Sequence, residues 1–326
     1  MVRPPAPRGG TVGGVPRLRR WSKKVGRLLL ELAVVVTIAS LVYNAATAAR
    51  IEPVTELYAG PFVSVDGKLV AYRRWGRSGS PIVLLGGFVE PTQVWQAVGK
   101  RLGATHRVFA LDLPPFGYSQ RKGPYTLRSW IALVHDFDVR FGLRRAVIVG
   151  HSLGAAVAVG EALAHPDELG GIVLLDGDAI AAGGAPSWLP DFVVGPWFTS
   201  IYRIATGSDW IFRRALRDAY GPHHPRLTHS VLRPWEQPFK VEGTLAAFKS
   251  MARYGIQGYR LADLRRVRVR SLVVWGQDDN VDSVGAGRAS ARALGVPFRV
   301  LPGAGHLSML GAPGPLARVV AEFDRG

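Results

Sequence analysis

Beyond residue 61 the chain alternates two kinds of apolar pattern. Short runs suit strands: Val63–Val65 and Leu69–Trp75 flank Asp66-Gly67, the signature of a tight β-hairpin. Pro81–Gly86 (PIVLLG) is apolar throughout, as a strand buried on both faces of a parallel sheet must be. Arg107–Leu113, Ala146–Gly150, Gly171–Asp176, Ser271–Gly276 and Phe298–Leu301 have the same character. Between them, longer patterned segments predict helices at Val94–Leu102, Leu127–Phe141, Ser152–Ala164, Val284–Leu294 and Pro315–Phe323. Strands alternating with helices predict an α/β domain on a mostly parallel sheet.

One stretch breaks the alternation. Residues 178–268 hold no convincing buried strand, but they have helical character and many aromatic residues, from Trp188 to Tyr259. They read as a helical insert that divides the domain into residues 62–177 and 269–326. Singly, such aromatics mostly pack helices together. Collectively they predict an apolar pocket between the insert and the sheet.

The opening of the chain has a third pattern. Residues 1–27 are rich in Pro, Gly and Arg, which predicts a disordered basic arm. Residues 28–49 are mostly apolar and as a helix would reach about 33 Å, the thickness of a bilayer core. Glu31 interrupts that run one turn after Arg27, with which it can pair. The expected reading is a single-pass signal anchor, basic end in the cytoplasm, with the domain on the outer side after a linker at residues 50–61. Two others compete. Ala46-Thr47-Ala48 is a small-residue cleavage pattern, which would make the segment a removed signal peptide, and a soluble amphipathic helix is the third.

Charge sharpens this picture. Residues 1–50 carry nine Arg/Lys and one Glu, a net +8 of the chain's +17. No aromatic-interleaved or groove-reading motif accompanies the basic arm, so anionic lipid is the expected partner rather than nucleic acid. The insert carries thirteen Arg/Lys against seven Asp/Glu, ordinarily a solvated face. There is no cysteine, which excludes a disulfide framework, a thiolate metal site and a cysteine nucleophile.

The chemistry centres on Gly150-His151-Ser152-Leu153-Gly154, between a strand and a helix. In that context G-x-S-x-G holds the serine on a tight turn with its hydroxyl exposed. The helix N-terminus offers N–H groups to negative charge forming there, the backbone of Leu153 first. A serine hydroxyl needs a base to take its proton, and histidine is the natural choice. Of eight histidines, His151 lies inside the turn, pointing away from Ser152; His106, His135 and His165 fall at or beside helix ends. His223, His224 and His229 occupy a loop of the insert with no carboxylate at ligand spacing, so no metal is expected there. His306 alone follows a strand in a glycine-bracketed loop near the C-terminus.

Four stretches resemble the α/β-hydrolase superfamily, in the subgroup with a helical cap inserted between the sixth and seventh core strands. They are Leu85-Gly86-Gly87-Phe88, Asp112 to Ser119 (DLPPFGYS), the Ser152 turn, and Gly276-Gln277-Asp278-Asp279 with Gly303-Ala304-Gly305-His306. The resemblance spans residues 62–324 and implies a Ser152, Asp279, His306 triad in that chain order. Its G-x-x-D spacing selects Asp279 over Asp278, with Asp176 as the fallback position. The resemblance also implies that the Phe88 and Leu153 amides form an oxyanion hole, and that Asp112 and Ser119 are loop anchors. Two departures stand out: Gly86-Gly87 replaces the His-Gly that steadies this loop in many relatives, and Ser283 sits where proline is usual. The expected function is a serine hydrolase without metal or cofactor, cleaving ester-like bonds of an apolar or lipid-derived substrate. A carbon–carbon hydrolase or cofactor-free perhydrolase on the same triad is the alternative, and a non-catalytic binding protein a third reading. A serine nucleophile argues against haloalkane dehalogenase and epoxide hydrolase chemistry, which use aspartate.

Overall fold

The apolar runs assemble into one eight-stranded sheet. The computed structural model describes residues 15–47, 51–181, 186, 188–255 and 257–326. The strands are β1 (Phe62–Val65), β2 (Lys68–Trp75), β3 (Pro81–Leu85), β4 (Arg107–Leu111), β5 (Ala146–His151), β6 (Leu169–Leu175), β7 (Ser271–Gly276) and β8 (Phe298–Leu301). Their order across the sheet is β1-β2-β4-β3-β5-β6-β7-β8, antiparallel from β1 to β4 and parallel from there on. Asp66 and Gly67 both take positive φ (47° and 65°), as the two-residue hairpin turn requires.

Side-chain alternation divides the interior into two layers. In β3, Val83 and Leu85 face one layer while Ile82 and Leu84 face the other, and all four are fully buried. Helices Leu127–Phe141, Leu153–Ala164 and Val284–Leu294 cover the first layer; Gln96–Leu102 and Pro313–Arg325 cover the second. Each such aliphatic side chain contributes roughly 1.5–3 kcal/mol on burial. Thr126 accepts a hydrogen bond from Ser129 N to start helix Leu127–Phe141, and left-handed Gly142 (φ 61°) ends it.

Three expectations change. The linker expected at residues 50–61 is not free over its described part, 51–61: Val54 and Tyr58 are buried with Ala71, Tyr118 and Val241, and Tyr58 stacks on Tyr118. From Val15 the chain is helical rather than disordered, because the basic residues continue, turn by turn, into the apolar run. Residues 1–14, and Ala48 of the cleavage pattern, lie outside the described residues. The helix expected from Val94 begins as a 3-10 turn at Thr92–Trp95, after Pro91.

The N-terminal helix, Val15–Ala46, is a unit of its own, and Lys24–Ala46 is long and apolar enough to serve as a membrane anchor or a signal sequence. Arg27 and Glu31 pair within it at 2.8 Å. Residues 178–268 are helical, as expected, and join β6 to β7. Their helices are Leu189–Val194, Pro196–Thr206, Asp209–Tyr220, His229–Glu236 and Thr244–Ala252, with short turns at Gln237–Lys240 and Leu261–Leu264.

Candidate active site

Strand order reverses between β3 and β5, and a crevice opens beyond the carboxyl ends of strands at such a point. Ser152 stands there, one residue after β5 and one before helix Leu153–Ala164. Its backbone is strained, with φ 49° and ψ −117°, and its N–H donates to Leu175 O of β6 at 3.0 Å. The turn is too tight for a side chain at Gly150, where a Cβ would lie 2.1 Å from Gly154 O. The neighbouring loop also comes close: a Cβ on Gly87 would lie 2.9 Å from the Ser152 Cβ.

The loops after β7 and β8 bring the expected carboxylate and imidazole together. His306 Nδ1 lies 2.9 Å from Asp279 Oδ2, and both side chains are shielded from solvent. Asp279 Oδ1 accepts from Val281 N (2.9 Å) and Asp282 N (3.0 Å), so the carboxylate is held from both sides. With Nδ1 engaged, Nε2 is the nitrogen of His306 left for proton transfer. Asp278 makes a backbone bond from its N–H to Ala304 O and has no part in the pair. Asp176 is fully buried and accepts from Gly276 N at 2.6 Å, bracing β6 against β7 instead of meeting His306 Nδ1.

Phe88 and Leu153 border a pocket of about 280 Å³ whose other walls include Tyr125, Trp130, Phe198, Phe248 and Met251. The Phe88 ring packs edge-on against Phe116 and Phe248, joining sheet loop to cap. A shielded carboxylate–imidazole pair, a half-buried serine on a strained turn and an apolar pocket are the parts that nucleophilic hydrolysis needs.

A model of the alpha/beta hydrolase family matches residues 82–319, most of the chain. The chain belongs to that family. Among relatives of this alpha/beta hydrolase is the uncharacterized hydrolase YugF of Bacillus subtilis, 24% identical over 267 residues, which cover 80% of this chain and 96% of YugF. N-formylmaleamate deformylase of Pseudomonas putida is 31% identical over 153 residues, 45% of this chain and 54% of that one. Two solved structures share the fold. A bacterial membrane phospholipase A superposes with TM-score 0.63 at 23% identity, covering 94% of this chain and 97% of the other. The meta-cleavage product hydrolase of Pseudomonas fluorescens superposes with TM-score 0.68 at 20% identity, covering 82% and 97%.

One departure from the family pattern has a structural answer. Where many relatives have a histidine before the glycine of this loop, the present hydrolase has Gly86, and Glu90 steadies the loop from its far end. Glu90 Oε2 accepts from Gly87 N (2.7 Å) and lies 2.9 Å from His151 Nδ1. His151 Nε2 in turn lies 2.8 Å from His306 O and 3.9 Å from Asp176 Oδ2. A buried chain thus ties the Phe88 loop, the serine turn and the His306 loop together. Burial alone would lower the His151 pKa, but the Glu90 carboxylate, and after it Asp176, raise it to about 9, so the imidazole stays charged. Burial also pushes the Asp176 carboxyl up to about 7. The signal for Glu90 was present: it is an acidic residue inside an otherwise apolar loop. Its partner was not predictable from spacing.

Arg121 was missed as well. Its guanidinium donates to the carbonyls of Phe116, Gly117, Ser119 and Pro238, and Nε to Thr244 Oγ1, fastening a core loop to the cap. Asp112 and Ser119 are anchors, Asp112 accepting from Thr92 N and Tyr118 N and Ser119 Oγ from Ala71 N. Two histidine expectations are corrected. His135 lies within helix Leu127–Phe141 and stacks on His165 at 3.7 Å, with Glu168 in reach. His229 does have carboxylates beside it, Asp209 and Glu236.

Proposed function

We propose that this hydrolase cleaves ester-like bonds of an apolar, lipid-derived acyl substrate through an acyl-enzyme on Ser152. The observation that carries the reading is the pocket bounded by Phe88 and Leu153: among the described residues its lining contains no Arg or Lys to receive a carboxylate, only aromatic and aliphatic side chains with Gln257. That lining favours an acyl chain over the acidic diketones of a carbon–carbon hydrolase.

In this mechanism Ser152 Oγ attacks the acyl carbon while His306 Nε2 takes its proton. Asp279 accepts from His306 Nδ1–H, fixes the tautomer and stabilises the imidazolium. The Phe88 and Leu153 N–H groups receive the oxyanion. His306 returns the proton to the leaving alcohol, and water, deprotonated by the same nitrogen, releases the acid. No cofactor or metal takes part in these steps. The N-terminal helix anchors the enzyme, its basic end on cytoplasmic anionic lipid and the catalytic domain on the outer side.

The test is a series of p-nitrophenyl esters of rising acyl length, run on the detergent-solubilised full chain. The expected result is kcat/KM rising with chain length from acetate to about octanoate. A preference for acetate, or for anionic diketones, would overturn the substrate assignment.

A further inference from the structure

Helix Pro196–Thr206 of the cap is apolar on both sides. Its inner face sends Phe198 into the acyl pocket and Tyr202 against Phe239 and Phe248. Its outer face carries Trp197, Ile201 and Ile204, spaced i, i+4, i+7, with relative exposures of 38%, 55% and 51%. Trp188 and Val194 before the helix, and Trp210 after it, are exposed by 60%, 65% and 72%. A helix apolar all round is expected to be buried. Single exposed apolar side chains are ordinary, and Val139 and Val281 elsewhere in the domain are of that kind; six within one short stretch are not.

Chain connectivity bounds how far the cap can lie from a bilayer-inserted span. The apolar span ends at Ala46, and by Glu52 the chain is already bonded to the cap: Glu52 N donates to Lys240 O and Glu242 N donates to Glu52 O, both at 3.0 Å. Six residue steps allow at most about 20 Å between the end of a bilayer-inserted span and the cap. Trp and Ile, with exposed Arg217 in the last turn of helix Asp209–Tyr220, is the composition of an interfacial surface beside anionic lipid.

We propose that the outer face of helix Pro196–Thr206, with Trp188, Val194 and Trp210, lies in the headgroup–acyl boundary of the bilayer, so that an acyl chain passes from the membrane into the pocket beneath that helix. This rests on the hydrolase and membrane readings above, and its test is arranged to fail separately from them. The full chain is reconstituted into phosphatidylcholine–phosphatidylglycerol vesicles, and two readouts are taken on wild type and on Ile201→Glu/Ile204→Glu. Both positions are exposed, and a thermal melt checks that the variant is folded.

Hydrolysis of soluble p-nitrophenyl butyrate should stay within about twofold, while hydrolysis of vesicle-embedded p-nitrophenyl palmitate should fall at least tenfold. Equal vesicle activity in variant and wild type would overturn the proposal. The second readout needs no catalysis. Lipids brominated on the acyl chain should quench wild-type tryptophan fluorescence more than that of Trp197→Phe/Trp210→Phe, and equal fractional quenching would also overturn it. If neither ester is cleaved, the hydrolase reading has failed and quenching alone decides the docking. Should the glutamate variant instead convert a detergent-solubilised dimer to a monomer, the face belongs to a second copy and the lipid assignment is wrong.

Discussion

The sheet core and the cap use apolar residues in opposite ways. Strands β3, β5 and β7 are buried along their whole length, and their side chains alternate between two closed layers. Cap helix Pro196–Thr206 turns one side to an apolar pocket, while Ile201 and Ile204 on its other side are more than half exposed. In the core, apolarity fixes the positions of Ser152, Asp279 and His306. In the cap it shapes what those groups meet. Residues that carry the chemistry should therefore lie in the core with large effects, and cap residues should alter choice of substrate with small ones.

The sharpest break of that contrast is at the serine. Ser152→Ala should lower kcat by roughly 10⁴- to 10⁶-fold and abolish labelling by a fluorophosphonate probe. Labelling that survives would remove Ser152 from the mechanism. Next, Asp279→Asn should cost about 10³- to 10⁴-fold, because the wrong histidine tautomer is then favoured, and Asp278→Asn under about tenfold. Steady-state kinetics on the pair decides between them, and the reverse ranking would reassign the acid.

Smaller effects probe the supports. Glu90→Gln removes the charge that holds His151 and loosens the Gly87 N–H, which should lower kcat about tenfold with KM little changed, less than the roughly 10²- to 10³-fold of a deleted oxyanion donor. An unchanged kcat would mean the loop is rigid without Glu90. In the cap, Phe198→Ala should shift the preferred acyl length with under about tenfold change in kcat/KM for any one ester. A loss as large as that of Asp279→Asn would erase the distinction between the two regions.

The same contrast appears in stability. His151 is raised from 6.5 to about 9 in the folded core, so its contribution is complete below 6.5 and is lost as pH rises through about 9. Asp112 and Asp176 are raised from 3.8 to about 7 by burial, and they too favour the folded state less as pH rises through about 7. All three act in one direction. Melting temperature should fall steadily from pH 6 to pH 9 in a calorimetric titration, and a flat or rising profile would mean that the buried groups do not titrate in this range.

How much of this was legible in sequence follows from how local each feature is. The hairpin at Asp66-Gly67 was readable because two adjacent residues with positive φ suffice to make it. The strands were readable because burial on both faces leaves an unbroken apolar run, as in PIVLLG. Ser152 and its glycines were readable because the turn is made by neighbours in the chain. Resemblance to a family then supplied Asp279 and His306, and in the structure these two meet.

Tertiary structure alone decided the rest, since the residues involved are remote in the chain and have no periodicity to announce them. Glu90 meets His151 across a separation of 61 residues, and His151 meets the His306 carbonyl across 155. Residues 50–61 look like a linker by composition, yet Val54 and Tyr58 find a buried site made by Ala71, Tyr118 and Val241. The helical pattern of Pro196–Thr206 marked it as apolar, but pattern does not say which side is covered. A sequence records which side chains avoid water and which turns are strained. Which of them meet depends on how the sheet orders its strands, because only then do distant loops converge on one end of β3 and β5.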